Sequence, residues 1–252
     1  MKKIITFFCL MLCMLATAQE AVDSMYIYRR DKTIVRIAVA DVDSVTFVFP
    51  SSSFVPDVLA SEAVDLGLPS GIKWASCNVG AAKPEEYGAY YAWGETEEKD
   101  CYNWNTYQWC NGGSNAIIKY CVGEAFGNID NKTVVEFEDD VACVKLGGDW
   151  RLPTNADFRE LKENCIWTWD SVNDVNGYSI VGSNGNSIFL PAAGLRDGNN
   201  VNNIGSCGFY WSSSLVNDEN NQAYLLFFNR STFDTEGVGE RCFGYPVRPV
   251  CK

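Results

Sequence analysis

The amino-acid sequence predicts an α+β protein with two short helices, an antiparallel sheet and long ordered loops. Helical signals occur in only two segments, and the rest of the chain after residue 63 consists of short apolar pieces separated by Gly, Asn and Asp. A composition of 47% hydrophobic and 21% charged residues is typical of a globular chain that buries one large core.

Both predicted helices have local end signals. Residues 138–146 begin with acidic side chains, which favour the positive helix start, and end before Gly147, a residue suited to a left-handed cap. Residues 155–164 follow Thr154 as N-cap, and Asp157 lies three residues later, which is the spacing of a capping box.

Three later segments are predicted to be strands. Residues 187–190 form a short apolar run that Pro191 ends. Residues 224–228 are apolar at every position, which indicates a central strand buried on both faces. Residues 247–248 lie between two prolines, and we expect them in a last short strand at a sheet edge, because proline cannot donate to a ladder.

The first 18 residues have the features of a cleavable signal peptide. Lys2 and Lys3 precede an apolar run, and Ala16 and Ala18 supply the small residues that a signal peptidase requires. The run of about 12 residues is too short for a permanent membrane anchor. The sequence therefore predicts export to the periplasm, the cell surface or the medium, with no transmembrane segment in the mature chain.

The segment after the predicted cleavage site has the pattern of a small β unit. Residues 26–28 and 33–39 flank a polar turn as a hairpin, and residues 45–49 alternate as a third strand. A stretch rich in Pro and Ser follows and predicts a linker. The predicted order is signal peptide, N-terminal β unit, linker and main domain, at 1–18, 19–49, 50–62 and 63–252.

Charge and cysteine usage limit the partners and the covalent structure. The chain has 32 acidic and 20 basic residues and no basic stripe, so nucleic acid is excluded as an expected partner. Two of the 11 cysteines fall in the signal peptide, and the nine that remain are an odd number, which leaves at least one thiol unpaired unless chains cross-link. Local bridges at Cys101/Cys110 and Cys242/Cys251 remain open.

The chain lacks the residue types that several catalytic mechanisms and metal sites require. The chain has no histidine, which excludes Ser-His-Asp and Cys-His mechanisms and removes the commonest zinc ligand. Glu95 follows Trp93 closely, so a hydrolase with paired carboxylates remains an alternative. Asn/Asp clusters at 173–174, 197–203 and 217–221 suit either turns or a structural calcium ion, the one cofactor left open.

Six motifs follow one another along the main domain. They are VDLGLPSGIKWASCNVGA (64–81), PEEYGAYYAWGE (84–95), GGDWRLPT (147–154), SIFLPAAG (187–194), GFYWSSS (208–214) and YPVRPV (245–250). In content and order they resemble the Fibrobacter succinogenes major paralogous domain, a family of exported proteins in Bacteroidetes-type and related bacteria. The short β unit before them resembles the N-terminal segment that such proteins often carry.

The resemblance implies a fold but little about function. That family is similar to formylglycine-generating enzymes, a variant of the C-type lectin fold, so we expect a C-type-lectin-like domain with a twisted antiparallel sheet. Those enzymes use a reactive cysteine pair near an Arg-Gly-Gly-Ser motif, which is missing around Cys207 and Cys242. We therefore expect a non-enzymatic protein, because one fold can host unrelated activities.

The aromatic residues divide into two predicted groups. Six residues inside the family motifs are expected in the core: Trp74, Trp93, Trp150, Arg151, Trp211 and Arg248. The two arginines among them are expected to bond buried carbonyl or carboxylate oxygens. Aromatic residues in or beside polar segments are candidate ligand contacts, with core packing as the alternative: Tyr102, Trp104, Tyr107, Trp109, Trp167 and Trp169. The sequence thus predicts an exported binding domain for a glycan or an envelope or host protein. A structural envelope component and a carbohydrate-active enzyme are the alternatives.

Overall fold

The structure is a computed structural model that describes residues 24–28, 34–38 and 61–252. The chain divides into two compact units, residues 1–55 and 56–252. In the first unit, strands β1 (Ser24–Tyr28) and β2 (Ile34–Ala38) pair antiparallel, which confirms the predicted hairpin. The predicted signal peptide, the third strand at 45–49 and most of the linker lie outside the described residues.

The second unit contains two α-helices and eleven strands among its described residues. The helices are α1 (Val141–Leu146) and α2 (Asn155–Asn164), and a 3₁₀ helix (Phe137–Asp139) precedes α1. The strands are β3 (Ala63–Asp65), β4 (Lys73–Ala75), β5 (Ile166–Val172), β6 (Val175–Val181), β7 (Ser187–Pro191), β8 (Leu195–Asp197), β9 (Asn200–Asn202), β10 (Cys207–Leu215), β11 (Gln222–Asn229), β12 (Phe233–Glu240) and β13 (Val250–Cys251).

These strands form small antiparallel sheets, which confirms the predicted α+β class. Three sheets have three strands each, in the orders β5-β6-β7, β10-β11-β12 and β13-β4-β3, and β8 pairs with β9. The strand predicted at 224–228 lies within β11, the middle strand of its sheet, as expected. Tyr224 and Phe227 nevertheless keep exposed surface, so the prediction that both faces are buried was wrong for these two residues.

The helix predictions hold at 155–164 and need a correction at 138–146. Thr154 and Asp157 form the predicted capping box of α2, each side chain bonding the other residue's backbone N–H. In the earlier segment the helix is interrupted at Asp140, which has an extended backbone with φ −83° and ψ 108°. Its carboxylate accepts the N–H groups of Ala142 and Cys143, so Asp140 caps a new helix instead of continuing one.

The last strand is shifted from its predicted position at 247–248. It lies at Val250–Cys251, where Val250 pairs with Trp74 of β4. Because prolines flank residues 247–248 and carry no N–H, that stretch cannot form a regular ladder. The carbonyl of Val247 instead accepts a single backbone bond from Val79.

Three clusters of buried side chains form the core of the second unit. The first joins α2 to strands β4, β6, β7, β10 and β11, through residues such as Trp74, Phe158 and Leu226. The second surrounds Trp93 and Trp211, and the third surrounds Tyr102 and Tyr107 in the loop before α1. The described core therefore needs both the loop-rich segment before residue 137 and the sheets after it.

Candidate ligand-binding groove

The residues predicted in the core occupy two kinds of position. Trp74, Trp93, Trp211 and Arg248 are buried, with at most 1% of their surface exposed. Trp150 is half-buried against the second cluster and Arg151 is also half-buried, so the structure corrects their placement deep in the core. Arg151 nevertheless bonds buried acceptors as predicted, since its guanidinium donates to the Leu152 carbonyl and to the buried Asp157 carboxylate.

The predicted aromatic ligand contacts do not form one shelf. Tyr102 and Tyr107 are buried, and their hydroxyl groups donate to the carbonyls of Tyr90 and Trp93, so they are core residues and not surface contacts. These hydrogen bonds draw both rings inward, which corrects their assignment as ligand contacts. The loop stretch between them belongs to the third core cluster.

Trp104 and Trp109 of the same loop keep partial exposure. The indole N–H of Trp104 donates to Glu240 at 3.1 Å, and that of Trp109 donates to the carbonyl of Gly94 at 2.7 Å. Both indole N–H groups are therefore bonded within the chain, and a ligand could contact only the exposed part of each ring.

Trp167 and Trp169 lie on β5 and pack against the first core cluster. Trp167 stacks on Phe233 with ring centroids 4.7 Å apart, and both tryptophans meet Tyr178 edge-on. Each stays partly exposed at the outer strand of its sheet. The aromatic residues at 102–109 and the two tryptophans of β5 thus belong to different core clusters.

A described cavity lies elsewhere, over the sheet β10-β11-β12. It has a volume of about 730 Å³ and is lined from α2 and the sheet by Thr154, Asn155, Ala156, Arg159, Ser214, Tyr224, Glu236 and Val238. We call this cavity the α2 groove. Its volume falls within the ~300–1,000 Å³ that is usual for small-molecule sites.

The groove forms because α2 covers only part of one sheet face. Phe158 and Leu161 of α2 pack in one core cluster with Leu226 of β11. Closer to the start of α2, Tyr224 and its cross-strand neighbour Val238 keep exposed surface. The groove is thus the part of this sheet face that the start of α2 leaves uncovered, while later residues of α2 bury the rest.

The charged side chains around the groove balance each other. Arg159 of α2 and Glu236 of β12 form an ion pair across it, with Nη1 and Oε1 3.3 Å apart. Both side chains are at least half exposed, so the pair contributes little to stability. One cation and one anion give the groove no net charge, which suits a neutral ligand.

Asn155 carries an unused hydrogen-bonding group at the groove. Its backbone N–H donates to Ser214 Oγ at 3.2 Å, but its side-chain Oδ1 is buried without a hydrogen-bond partner among the described residues. An unpaired buried acceptor costs about 1–3 kcal/mol, so a small rotation toward a ligand hydroxyl would remove a penalty.

Sequence reasoning did not identify the groove. Its lining comes from α2, β10, β11 and β12, and only the tertiary fold brings these segments together. Tyr224 was the one lining residue inside a strand prediction, where its apolar neighbours indicated burial on both faces. Tyr224 is partly exposed because α2 covers only part of this sheet face. The sequence of β11 alone does not indicate how far α2 extends.

The acids and the Asn/Asp clusters that the sequence singled out have structural partners. Glu95 is buried and forms an ion pair with Lys99 at 2.8 Å, and Trp93 beside it is fully buried. Asn173 and Asp174 both have positive φ and form the tight turn between β5 and β6. Within the described ranges, no group of three or more His, Cys, Asp or Glu side chains is arranged to hold a metal ion.

All nine described cysteines are free thiols, so neither local bridge is present in this part of the chain. Burial raises the pKa of Cys143 to about 12 and of Cys165 to about 11, and burial likewise raises that of Cys242. A raised pKa keeps these thiols protonated at neutral pH, which makes them weak nucleophiles.

Among the described helices, none has the length and apolar character needed to cross a bilayer.

Comparison with known proteins gives one similarity. Residues 132–250 match a family described as a domain of unknown function, DUF8237. No curated protein shows significant similarity to the chain, and no solved structure does. The match spans slightly less than half of the chain, beginning just before the 3₁₀ helix and ending in β13.

Proposed function

We propose that this chain is an exported, non-enzymatic binding domain with a C-type-lectin-like fold, of the Fibrobacter succinogenes major paralogous type. We further propose that the α2 groove receives a neutral glycan. The signal-peptide features and the six ordered motifs support export and family, and the two helices with antiparallel sheets are compatible with this fold.

The observation that carries the ligand proposal is the chemistry of the groove lining. Tyr224 lines the groove and is partly exposed, and an aromatic side chain there can pack against the apolar face of a sugar. Ser214 offers a hydroxyl group that donates to no acceptor among the described residues, and the Asn155 amide makes no side-chain hydrogen bond there. A neutral polyhydroxylated ligand matches a mixed lining in which the one cation is already paired.

The groove favours binding over hydrolysis. Glu236 is the one carboxylate among its lining residues, and Arg159 holds it in an ion pair. Glycoside hydrolysis ordinarily uses two carboxyl groups on opposite sides of the scissile bond. The chemistry in the groove therefore supports recognition without turnover.

Glycan binding by the chain from Gln19 onward tests this proposal. We expect a neutral oligosaccharide from a panel of bacterial, plant and mucin glycans to bind without added calcium. Tyr224→Ala should weaken that binding at least tenfold, which corresponds to about 1.4 kcal/mol, because the stacking surface is lost. Isothermal titration calorimetry measures the loss.

Two variants separate the groove from the aromatic loop. Tyr224→Phe keeps the ring and should retain binding, while Trp104→Ala alters the loop of residues 102–109 and should leave binding unchanged. A glycan whose binding is lost in Trp104→Ala and kept in Tyr224→Ala would place the site in the loop and contradict the proposal. A panel without any bound neutral glycan would contradict it as well.

A further inference from the structure

Strand β5 is an outer strand with outward backbone groups that have no backbone partner among the described residues. It bonds only to β6, at the edge of the sheet β5-β6-β7. A two-residue turn at Asn173 and Asp174 joins the strands, so the pair Val172–Val175 next to the turn exchanges backbone hydrogen bonds.

The hydrogen-bonding direction alternates along an antiparallel strand. Counting back from Val172, residues Thr168 and Asp170 bond to β6, whereas the backbone groups of Trp167 and Trp169 point away from the sheet. Neither residue has a backbone partner on that side among the described residues. The outward N–H of Ser171 is bonded by the carboxylate of the preceding aspartate at 2.8 Å, which agrees with this count.

The other outer strands of the second unit are protected against pairing. β12 carries three acidic residues, two glycines and a register shift. The outward groups of β10 bond to loops, as in the bond from Ser213 N–H to the Pro153 carbonyl. In β7, Arg248 donates to the carbonyl of Phe189. The remaining outer strands have two or three residues each, which is too short to recruit a partner.

β5 carries one acidic residue, Asp170, and otherwise lacks these protections. Its seven residues, IWTWDSV, are mostly β-branched or aromatic, and they contain no glycine, proline or lysine. Ile166 on its solvent face is 71% exposed, the largest exposure among the large hydrophobic residues that the structure describes. A long, apolar outer strand of this kind is a template for strand pairing.

We propose that β5 pairs with β5 of a second copy of this chain, in an antiparallel homodimer. A twofold axis through Thr168 places Trp167 opposite Trp169 of the second copy, and these are the residues whose backbone groups point outward. The two copies then exchange hydrogen bonds at both tryptophan pairs, and the partly exposed rings cover each other on the core side of the sheet.

Charge is compatible with this register. Asp170 is the single charged residue of β5. With the axis at Thr168, each Asp170 faces Ile166 of the other copy, and the two carboxylates stand about 14 Å apart along the strands. That separation exceeds the ~8–10 Å screening length at ordinary salt. An axis at Trp169 would bring the carboxylates closer together.

Sedimentation velocity on the chain from Gln19 onward, at low and high protein concentration, tests the dimer. We expect the mass to double at high concentration. Hydrogen exchange at the amides of Trp167 and Trp169 should slow in parallel, because these amides are protected only by the second copy. Thr168→Lys should restore the monomer mass and fast exchange at both amides, since it sets two positive charges opposite each other.

Two controls keep the test specific. Thr168→Val preserves a β-branched residue at the same place and should still dimerise. Val201→Lys adds the same charge at an exposed position of β9 and should leave the dimer intact. A chain that is monomeric at every concentration overturns the proposal. So does a dimer that persists in Thr168→Lys, or slow exchange at both amides without a change in mass.

Discussion

Two buried arginines hold the core of the second unit together, and neither has a carboxylate partner among the described residues. Arg248 donates to the side chain of Asn78 and to the carbonyls of Ala75, Ser76 and Phe189, at 2.7–3.0 Å. Burial lowers its pKa to about 10, so it remains charged at neutral pH. Four neutral oxygens thus compensate one buried cation: three come from residues 75–78, and the fourth comes from β7.

Replacement of Arg248 by lysine tests this arrangement. Lysine has three donors at one point and cannot reach the four oxygens that the planar guanidinium spans. We expect Arg248→Lys to lower the free energy of unfolding by about 3 kcal/mol, since hydrogen bonds to charged groups contribute ~1.5–3 kcal/mol each. Urea unfolding followed by tryptophan fluorescence measures the change.

Arg159→Lys is the matched control for this measurement. Arg159 is 50% exposed and has one contact with a carboxylate, so its replacement should change stability by less than about 0.5 kcal/mol. Equal losses from the two variants would show that the buried bonds of Arg248 carry no special weight.

The sequence could indicate Arg248 but not the second buried arginine. Arg248 lies between two prolines in a motif that resembles a known family, whereas Arg241 lies in a Gly- and Cys-containing stretch without a recognisable pattern. Arg241 is equally buried and bonds to the carbonyls of Lys119, Tyr120 and Asn220. These acceptors are distant in sequence, and no local rule predicts that they meet.

Elements whose signals are local were predictable, and those that depend on distant partners were not. The cap of α2 needs only Thr154 and Asp157, so its start was predicted to the residue. β13 depends on β4, which lies far away in sequence, and its predicted position was wrong. The α2 groove and the free edge of β5 likewise arise from how elements pack, so neither was accessible to sequence reasoning.

A charged network ties the loop around Lys119 to the segment that leads into α1. Lys119 lies within 2.9 Å of Glu136 and 2.6 Å of Asp139, and Lys132 lies 2.6 Å from Glu136. The hydrogen bonds from Lys132 and Lys119 hold the pKa of Glu136 at about 2, below its ordinary 4.5. Glu136 therefore contributes to this network only while it is ionised.

This lowered pKa makes the contribution of Glu136 depend on pH in a definite direction. A carboxyl group with a lowered folded-state pKa stabilises the protein fully above its unfolded pKa and loses that effect as the pH falls toward the folded value. We expect Glu136→Gln to be less stable than the unmodified chain at pH 7. The gap in melting temperature should close between about pH 4.5 and pH 2.

Glu163→Gln provides the comparison for the pH series. Glu163 is an exposed residue of α2 without an ion pair among the described residues, so this variant should follow the unmodified chain at every pH. A melting-temperature gap for Glu136→Gln that stays constant from pH 7 to pH 2 would contradict the proposed role of the network.

At the scale of the whole molecule, the family match and the folded unit have different limits. The match covers residues 132–250, while the compact second unit spans residues 56–252. The matched segment excludes β4, which pairs with β13, and it excludes three of the four acceptors of Arg248. The third core cluster also consists mostly of residues before position 132.

Two fragments of the chain distinguish the folded unit from the matched segment. Residues 56–252 contain all the buried clusters, so this fragment should unfold in one cooperative transition on heating, close to the temperature of the chain from Gln19 onward. Residues 132–250 should show no cooperative transition, because β13 loses its partner strand and Arg248 and Arg241 would be left with unpaired charges in an incomplete core. Circular dichroism on heating measures both. Cooperative unfolding of the shorter fragment would mean that its core is complete without residues 61–131. That result would contradict the dependence of β13 and both arginines on those residues.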